Sequence, residues 1–285
     1  MLTLEYWYLL PVSIVIATVA MASGIGGGVF FSPLFILALK LEPSVAVGTA
    51  LITQLFGFSS ALIAYLRRKL IDFRLGASLL IFSLPAAAIG SISAGAFPAD
   101  ALKGVFAIGM FFIGSQLYRS YRQDKRARHG RTIAQADADR SESVLVDRTG
   151  KEYRYTIRHK AQGRIFAGLG GALLGMISVG LAELQMYHLV GRCNVPSAVA
   201  VATSIFVVVI TLFIASSGHF YRFATSADPG TLSQVTGIVS FTAPGVLIGG
   251  QLGPLLQENV SPDIAKAGIA FLFIALGMLM LITLV

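Results

Sequence analysis

The sequence predicts an all-α polytopic membrane protein made of two inverted-topology repeats, each with a broken or re-entrant helix pair and three full transmembrane helices. Three observations support this fold class. The 285 residues are 55% hydrophobic and 13% charged, with a mean hydropathy of +0.76, whereas soluble domains carry about 25% charged residues. Glycine-rich stretches interrupt two long apolar segments, and one motif recurs in both halves. This composition excludes a soluble globular protein.

The first break lies in the apolar segment from Leu4 to Leu39, which contains Gly24-Ile25-Gly26-Gly27-Gly28 and, five residues later, Pro33. Unpaired backbone groups in lipid cost several kcal/mol each, so broken backbone is tolerated only where protein or a water-filled cavity surrounds it. For a single glycine, tight helix packing is the alternative. Four glycines in five residues favour a helix, a buried break and a shorter half-helix, arranged as a re-entrant hairpin or as two tilted spans.

A repeated motif indicates an internal duplication. Pro43-Ser44-Val45-Ala46-Val47-Gly48-Thr49-Ala50 returns imperfectly as Pro196-Ser197-Ala198-Val199-Ala200-Val201-Ala202-Thr203-Ser204. Upstream of the second copy, the stretch from Gly175 to Glu183 takes the place of the glycine cluster, within a second long apolar segment from Ile165 to Gly191. Duplication with broken segments in corresponding positions is typical of secondary transporters. The expected units are residues 1–118, a loop over 119–164, and residues 165–285.

Six further segments have the length of one membrane span. A hydrocarbon core of about 30 Å needs about 20 residues of helix. The predicted full spans are Ser44–Leu66, Arg74–Ala96, Ala101–Tyr118, Ser197–Ser217, Ser233–Leu255 and Ile264–Leu284.

Positive charge predicts the orientation of the chain. The segment from Arg119 to Arg164 holds 13 of the 22 Lys and Arg residues and 6 of the 14 Asp and Glu residues, so the positive-inside rule places it in the cytoplasm. The cluster Arg67-Arg68-Lys69 lies two helices away and hence on the same side. Both termini are then outside, and the halves run in opposite directions. Alternation in Val144–Asp147 and Tyr153–Ile157, around Arg148-Thr149-Gly150, predicts a small β-hairpin in the loop.

Several motifs of the first half carry a family resemblance: Gly24 to Gly28 with Pro33, Pro43 to Ala50, and Arg67-Arg68-Lys69 ahead of Ile71-Asp72-Phe73. Together they resemble the sulfite exporter TauE/SafE family over nearly the whole membrane part. The second half departs from the family pattern, with Gly180-Leu181-Ala182-Glu183 and His188 where the family usually repeats its glycine cluster and proline. The resemblance implies an inner-membrane transporter of sulfite, sulfonates or related sulfur or carboxylate anions.

The broken segments also predict an anion site directly. Half-helices that start near Gly28 and Gly180 would point their N-terminal amides at the membrane midplane, where the helix dipole favours negative charge. The expected substrate-binding residues are Gly24, Gly26, Gly27, Gly28, Thr49, Thr53, Gln54, Ser178, Gly180, Thr203 and Ser204. For the hydroxyl residues, hydrogen bonds to preceding carbonyls or to neighbouring helices are an equal alternative. Gln185 and Asn194 have the same standing as Ser178.

Glu183 is the only acidic side chain at the predicted hydrocarbon depth, where such residues are costly and usually face a cavity. An ionised Glu183 would repel an anion, whereas a protonated one could donate a hydrogen bond, so Glu183, with His188, is a candidate for proton coupling. Two alternatives stay open: Glu183 caps loose backbone amides, or it pairs with His188.

The predicted function is alternating-access transport of a small anion, with an anion channel, or a scaffold that binds a partner through residues 119–164, as the alternatives. An enzyme is not expected, since no His-Glu-x-x-His or Gly-x-Ser-x-Gly pattern occurs. The lone Cys193 excludes an internal disulfide and a cysteine-cluster metal site, and no metal or cofactor is expected. The expected partners are the anion and the lipid bilayer, without nucleic acid; a homodimer is left open.

Overall fold

The computed structural model describes residues 4–23, 28–95, 143–157, 159–225 and 229–256, with short stretches and single positions between 97 and 118 and between 271 and 282. These residues are mostly helical. The main elements are α1 Leu9–Ser23, α2 Gly28–Leu37, α3 Pro43–Arg68, α4 Phe73–Ser93, β1 Ser143–Val146, β2 Glu152–Tyr155, α5 Lys160–Ile177, α6 Leu181–Met186, α7 Ser197–Ala224 and α8 Pro229–Leu256. A short 3-10 helix, Leu4–Tyr6, precedes α1, and a π-helical segment, Tyr187–Arg192, continues α6.

Long apolar helices confirm the predicted membrane class. Four of them are long and apolar enough to cross a bilayer: Pro43–Arg68, Phe73–Ser93, Ser197–Ala224 and Gly230–Gly253. They match four of the six predicted full spans, although α7 continues seven residues beyond its predicted end at Ser217. The described residues of the predicted span Ala101–Tyr118, among them 104–111, are helical, whereas most of the predicted span Ile264–Leu284 lies outside the described residues.

Both long apolar segments divide into a helix and a shorter helix, as predicted. In the first, α1 ends at Ser23 and α2 begins at Gly28; residues 24–27, with Gly24, Gly26 and Gly27, lie outside the described residues. In the second, α5 ends at Ile177 and α6 begins at Leu181. The break between α5 and α6 is therefore the one whose geometry is visible in full.

The first helix of each half packs against a long helix of the other half. Helix α1 packs on α8, and α5 packs on α4. Helix α3 packs on α8 and α4 on α7, while α3 and α7 contact each other. Two equivalent halves would make such contacts. The opposite orientation of the halves remains a prediction.

Small residues bring these helices close together, as is common in membranes. A Cβ atom added at Gly245 or Gly249 of α8 would lie 2.6 Å from the carbonyl oxygen of Leu10 or 2.7 Å from that of Ile14, both in α1. One added at Gly171 of α5 would lie 2.5 Å from the carbonyl oxygen of Ser83 in α4. Many glycines outside the breaks therefore serve helix packing.

The surface of the helices is apolar, and polar side chains lie inside. On α4, Ile81, Ile89 and Ile92 are 69%, 65% and 72% exposed, whereas Ser83 and Ser91 of the same helix are buried. Soluble monomers rarely expose contiguous apolar surface of this kind. This distribution fits a protein surrounded by lipid.

The predicted β-hairpin is confirmed. Strands β1 and β2 are antiparallel, with Leu145 opposite Tyr153. The Asp147 carboxylate holds the turn, because its Oδ1 accepts hydrogen bonds from the Thr149 backbone N–H (2.8 Å) and hydroxyl (2.6 Å). These bonds, the hydroxyl bond first, lower the pKa of Asp147. Gly150 completes the turn at φ +86°.

The hairpin is attached to the membrane helices at their basic end, which we define as the end of α3 that carries Arg67, Arg68 and Lys69. The Arg148 backbone N–H donates to the Arg68 carbonyl at 3.1 Å. The Tyr155 hydroxyl donates to Oδ2 of Asp72 at 2.8 Å, and burial raises the pKa of Tyr155. The two basic segments of the sequence therefore lie at the same end of the molecule.

Candidate functional site

The backbone between α5 and α6 leaves the helical path in a strongly left-handed turn. Ser178, which ends α5, has φ +60°, and Gly180, which precedes α6, has φ +119°. The Ser178 N–H still donates to the Leu174 carbonyl at 2.8 Å, and the Leu184 N–H donates to the Gly180 carbonyl at 3.0 Å. A φ near +119° is rare for any residue with a side chain. The glycine at position 180 is therefore required by the shape of the break.

Ser178 is the point at which three segments of the chain meet. Its hydroxyl oxygen lies 2.5 Å from that of Ser32 in α2. Its carbonyl oxygen accepts a hydrogen bond of 3.3 Å from Nε2 of Gln54 in α3. Ser32, Gln54 and Ser178 are all buried. Side chains from the first half of the chain thus hydrogen-bond directly to the break of the second half.

The residues that flank the two breaks also pack together. Val29, which follows Gly28 at the start of α2, belongs to the same buried cluster as Ile177 and Val179, on either side of Ser178. With the Ser32–Ser178 contact, this brings the N-terminal end of α2 to the break that precedes α6. The ends of the two half-helices are therefore neighbours.

Glu183 caps the broken backbone. Its Oε2 accepts a hydrogen bond from the Gly180 N–H at 2.9 Å, and its side chain is only 3% exposed. A carboxylate in the first turn of a helix stabilises the free amides and the positive end of the dipole. The capping interpretation of Glu183 therefore holds in this structure, and it leaves open whether the residue also exchanges a proton.

Among the residues that the structure describes, two further polar side chains are buried without partners, one in α6 and one in α7. Gln185, two residues after Glu183, is 1% exposed, and neither its amide nitrogen nor its amide oxygen has a hydrogen-bond partner in the described part of the chain. The Ser204 hydroxyl of α7 is buried and equally without a partner among the described residues. A buried amide without partners costs about 1–3 kcal/mol, so these atoms have capacity for a ligand or water.

The other predicted site residues make contacts of their own. Thr49 donates to the Val45 carbonyl one turn earlier, at 2.7 Å, and the Thr53 hydroxyl lies 2.9 Å from that of Thr242 in α8. Thr203 accepts a hydrogen bond of 3.0 Å from the Asp72 N–H at the basic end of the helices. The alternatives of self-bonding and helix bridging thus apply to these threonines, and within the described ranges no hydrogen bond joins them to the break between α5 and α6.

No hydrogen bond joins His188 to Glu183 in the part of the chain that the structure describes. His188 lies in the π-helical segment, buried, with Nε2 3.4 Å from Sγ of Cys193. Its Nδ1 has no partner among the described residues. Those residues also contain no group of three or more His, Cys, Asp and Glu side chains placed to hold a metal ion.

Sequence reasoning missed Ser32 and His219. Ser32 lies one turn after Gly28 in the half-helix α2, a position that could have suggested a side chain facing the break. His219, near the end of α7, is buried, with Nε2 3.0 Å from the Gly175 carbonyl in α5. No sequence pattern links His219 to Gly175, since 44 residues separate them.

Comparisons with known proteins agree with the membrane fold. The family model described as sulfite exporter TauE/SafE matches residues 9–280. Two relatives from Bacillus subtilis (strain 168) are named probable membrane transporter protein YunE, 24% identical over 90% of both chains, and probable membrane transporter protein YjnA, 25% identical over 88% of both chains. No solved structure matches the chain.

Proposed function

The chain belongs to the sulfite exporter TauE/SafE family, and from this premise we propose that it carries a small anion across the cell inner membrane by alternating access. The relatives named as probable membrane transporters cover nearly the same length, which supports transport rather than catalysis. The proposed substrate class is sulfite, an organosulfonate or a related sulfur or carboxylate anion.

The observation that carries this proposal is the contact of α2 and α3 with the break at Ser178. Ser32 from α2 and Gln54 from α3 hydrogen-bond to it, and Val29 packs in the cluster of Ile177 and Val179. In a lipid-surrounded chain, irregular backbone is tolerated where it is buried in protein or lines a cavity. A break that served only helix packing would not need polar side chains from both halves of the chain to meet at it.

Backbone amides supply the attraction for an anion. The half-helices α2 and α6 start at the breaks, where their free N–H groups and dipoles create positive potential without a Lys or Arg side chain. In our proposal Gly24, Gly26, Gly27, Gly28 and Gly180 let the anion approach these amides. The polar side chains around it are Ser32, Gln54, Ser178 and Gln185, whereas Thr49, Thr53 and Thr203 have structural roles and Ser204, next to Thr203 in α7, lies toward the basic end.

The proposed movement follows from the two halves. Each half contributes one break, and the first helix of each half packs on a long helix of the other. Rocking one half against the other would therefore expose the shared site to each side of the membrane in turn. The basic end, with Arg67 to Lys69 and the hairpin attached to it, faces the cytoplasm in our proposal. Both termini would then lie outside, and residues 119–164 would be cytoplasmic.

Glu183 would couple transport to protons. Its carboxyl group is buried beside the proposed anion, where a negative charge on both is unfavourable. Protonation would remove the repulsion on binding, and release of the proton after the conformational change would favour release of the anion. The hydrogen bond from Gly180 then survives in either state, because a neutral carboxyl oxygen still accepts it.

The proposal is tested by flux of radiolabelled sulfite and sulfoacetate in proteoliposomes, with and without an imposed pH gradient. We expect saturable flux of at least one of these anions in the wild type, accelerated by the gradient. In Glu183→Gln we expect the acceleration to be lost while the protein stays folded, because the glutamine oxygen still accepts the Gly180 N–H but cannot exchange a proton.

Glu183→Ala separates the cap from the coupling. It removes the acceptor of the Gly180 N–H as well as the proton-exchanging group. We therefore expect coupling to be lost and the free energy of unfolding to fall by about 0.5–2 kcal/mol, the usual cost of losing a helix cap. Gradient-driven flux that persists in Glu183→Gln would reduce Glu183 to a cap and leave the carrier proposal intact. Absence of flux of any sulfur or carboxylate anion in a folded wild type would refute the carrier proposal itself.

A further inference from the structure

A second polar feature lies away from the break, at the basic end of the helices. A cavity of about 590 Å³ opens between the start of α4, the β-hairpin and the start of α5. Its lining includes three cations, Arg74, Lys160 and Arg164, and one carboxylate, Asp72. The volume is within the range of small-molecule binding sites, about 300–1,000 Å³.

Among the described residues, no carboxylate forms an ion pair with the cations of this cavity, Arg74, Lys160 and Arg164. The Asp72 carboxylate is already engaged, since Oδ1 accepts from the Leu75 N–H at 2.9 Å and Oδ2 accepts from the Tyr155 hydroxyl at 2.8 Å. The described residues that line the cavity therefore carry a net positive charge of two, three cations against one carboxylate.

The walls of the cavity continue into lipid-facing surface. The guanidinium of Arg164 lies 5.7 Å from the centre of the Phe82 ring in α4, so this cation of the cavity is next to an exposed apolar side chain. Phe82 is exposed, and so are its apolar neighbours Ile81 in α4 and Ile165 and Leu169 in α5. An amphiphile with its charge in the cavity would find apolar surface for its chains directly alongside.

From these features we propose that the cavity binds the phosphate headgroup of an anionic membrane phospholipid, with its acyl chains along α4 and α5. Arg74, Lys160 and Arg164 hold the phosphate, and the exposed apolar residues hold the chains. Basic pockets between membrane helices on the cytoplasmic side suit such headgroups. A water-soluble phosphate would use the same cations but would leave the adjoining apolar surface without a role.

The site would connect the lipid to the transport helices. Asp72, in the cavity wall, bonds to the hairpin through Tyr155 and to α7 through the hydroxyl of Thr203, which accepts the Asp72 N–H at 3.0 Å. Headgroup binding would thus join α4, α5, α7 and the hairpin at one end of the molecule. This inference concerns binding alone, so it stands or falls independently of the transported substrate.

The experiment is native mass spectrometry of the purified full chain in detergent, titrated with phosphatidylglycerol or, as a neutral reference, phosphatidylcholine. We expect one tightly bound phosphatidylglycerol in the wild type. In the triple variant Arg74→Gln, Lys160→Gln, Arg164→Gln we expect binding about a hundredfold weaker, since each cation near the membrane surface contributes about fivefold. Arg74→Gln alone is expected to weaken binding about fivefold.

The control is a second triple variant, Arg148→Gln, Lys151→Gln, Arg154→Gln, which removes the same charge from exposed hairpin residues outside the cavity. It should bind phosphatidylglycerol like the wild type. Equal weakening by both triple variants, or phosphatidylcholine binding as tight as phosphatidylglycerol, would overturn the proposal. Glycerophosphoglycerol, which lacks acyl chains, should bind far more weakly; equal binding would assign the cavity to a soluble phosphate instead of a lipid.

Discussion

Gly180→Ala is expected to destabilise the protein and to abolish anion flux. The substitution places a side chain at φ +119°, which costs about 1–3 kcal/mol of backbone strain. The new Cβ atom would also lie 2.9 Å from Cβ of Leu173, and overpacking of this kind costs about 1–3 kcal/mol more. The thermal unfolding midpoint of the purified protein should fall by at least about 4 °C.

Gly168→Ala, on α5, is the matched control. Its added Cβ would lie 3.9 Å from the nearest atom, the Phe82 carbonyl oxygen, which is ordinary contact, and alanine in a helix is favoured over glycine by about 1 kcal/mol. The midpoint of Gly168→Ala should equal or exceed that of the wild type, with normal flux. If Gly180→Ala were as stable and active as Gly168→Ala, the left-handed break described here would be wrong.

Gln54→Leu should lower flux about tenfold to a hundredfold with the fold retained. The substitution keeps the volume of the side chain and removes the donor to the Ser178 carbonyl. A buried carbonyl without its donor costs about 1–3 kcal/mol, which corresponds to that range of rates if the site must keep its shape during transport. Flux per folded protein, measured with the same anion in proteoliposomes, gives the comparison.

Gln251→Leu provides the control for an amide that makes interhelical hydrogen bonds to α3 away from the break. Gln251 of α8 donates to the Ser60 carbonyl of α3 at 2.6 Å and to the Ser60 hydroxyl at 2.9 Å, so the loss of an interhelical hydrogen bond is comparable. Because these bonds are not at the break, flux should remain near the wild-type value. Similar loss in both variants would show that Gln54 acts through helix packing rather than through the site.

Much of the fold could be predicted because hydrophobic length and charge act over whole segments. The spans at α3, α4, α7 and α8 follow from runs of apolar residues, and the hairpin follows from alternation around Thr149-Gly150. The end of α7 was placed too early, at Ser217, because small polar residues there resemble a helix end, whereas the helix continues to Ala224. The predicted break of the second long apolar segment is confirmed between α5 and α6, while that of the first falls on residues 24–27, outside the described residues.

The candidate site was predicted less completely, because side-chain partners depend on packing between distant residues. Glycine predicts the break at Gly180, and a cap by Glu183 is one of the alternatives that the sequence leaves open beside proton coupling. The hydroxyl of Ser32 and the amide of Gln54 meet Ser178 across 146 and 124 residues of sequence, and no local pattern encodes such pairs. The same limit applies to Thr203, whose motif suggested the site but whose hydroxyl accepts the Asp72 N–H.

The central claim is that a shared anion site is exposed to the two sides of the membrane in turn, and counterflow tests it most directly. Proteoliposomes preloaded with unlabelled sulfite, or with whichever anion shows flux, are diluted into a trace of the labelled anion without a pH gradient. A carrier exchanges one anion for another, so we predict transient accumulation of label above the external concentration, reduced in Gln54→Leu. Uptake that only approaches the external concentration would contradict alternating access and indicate a channel.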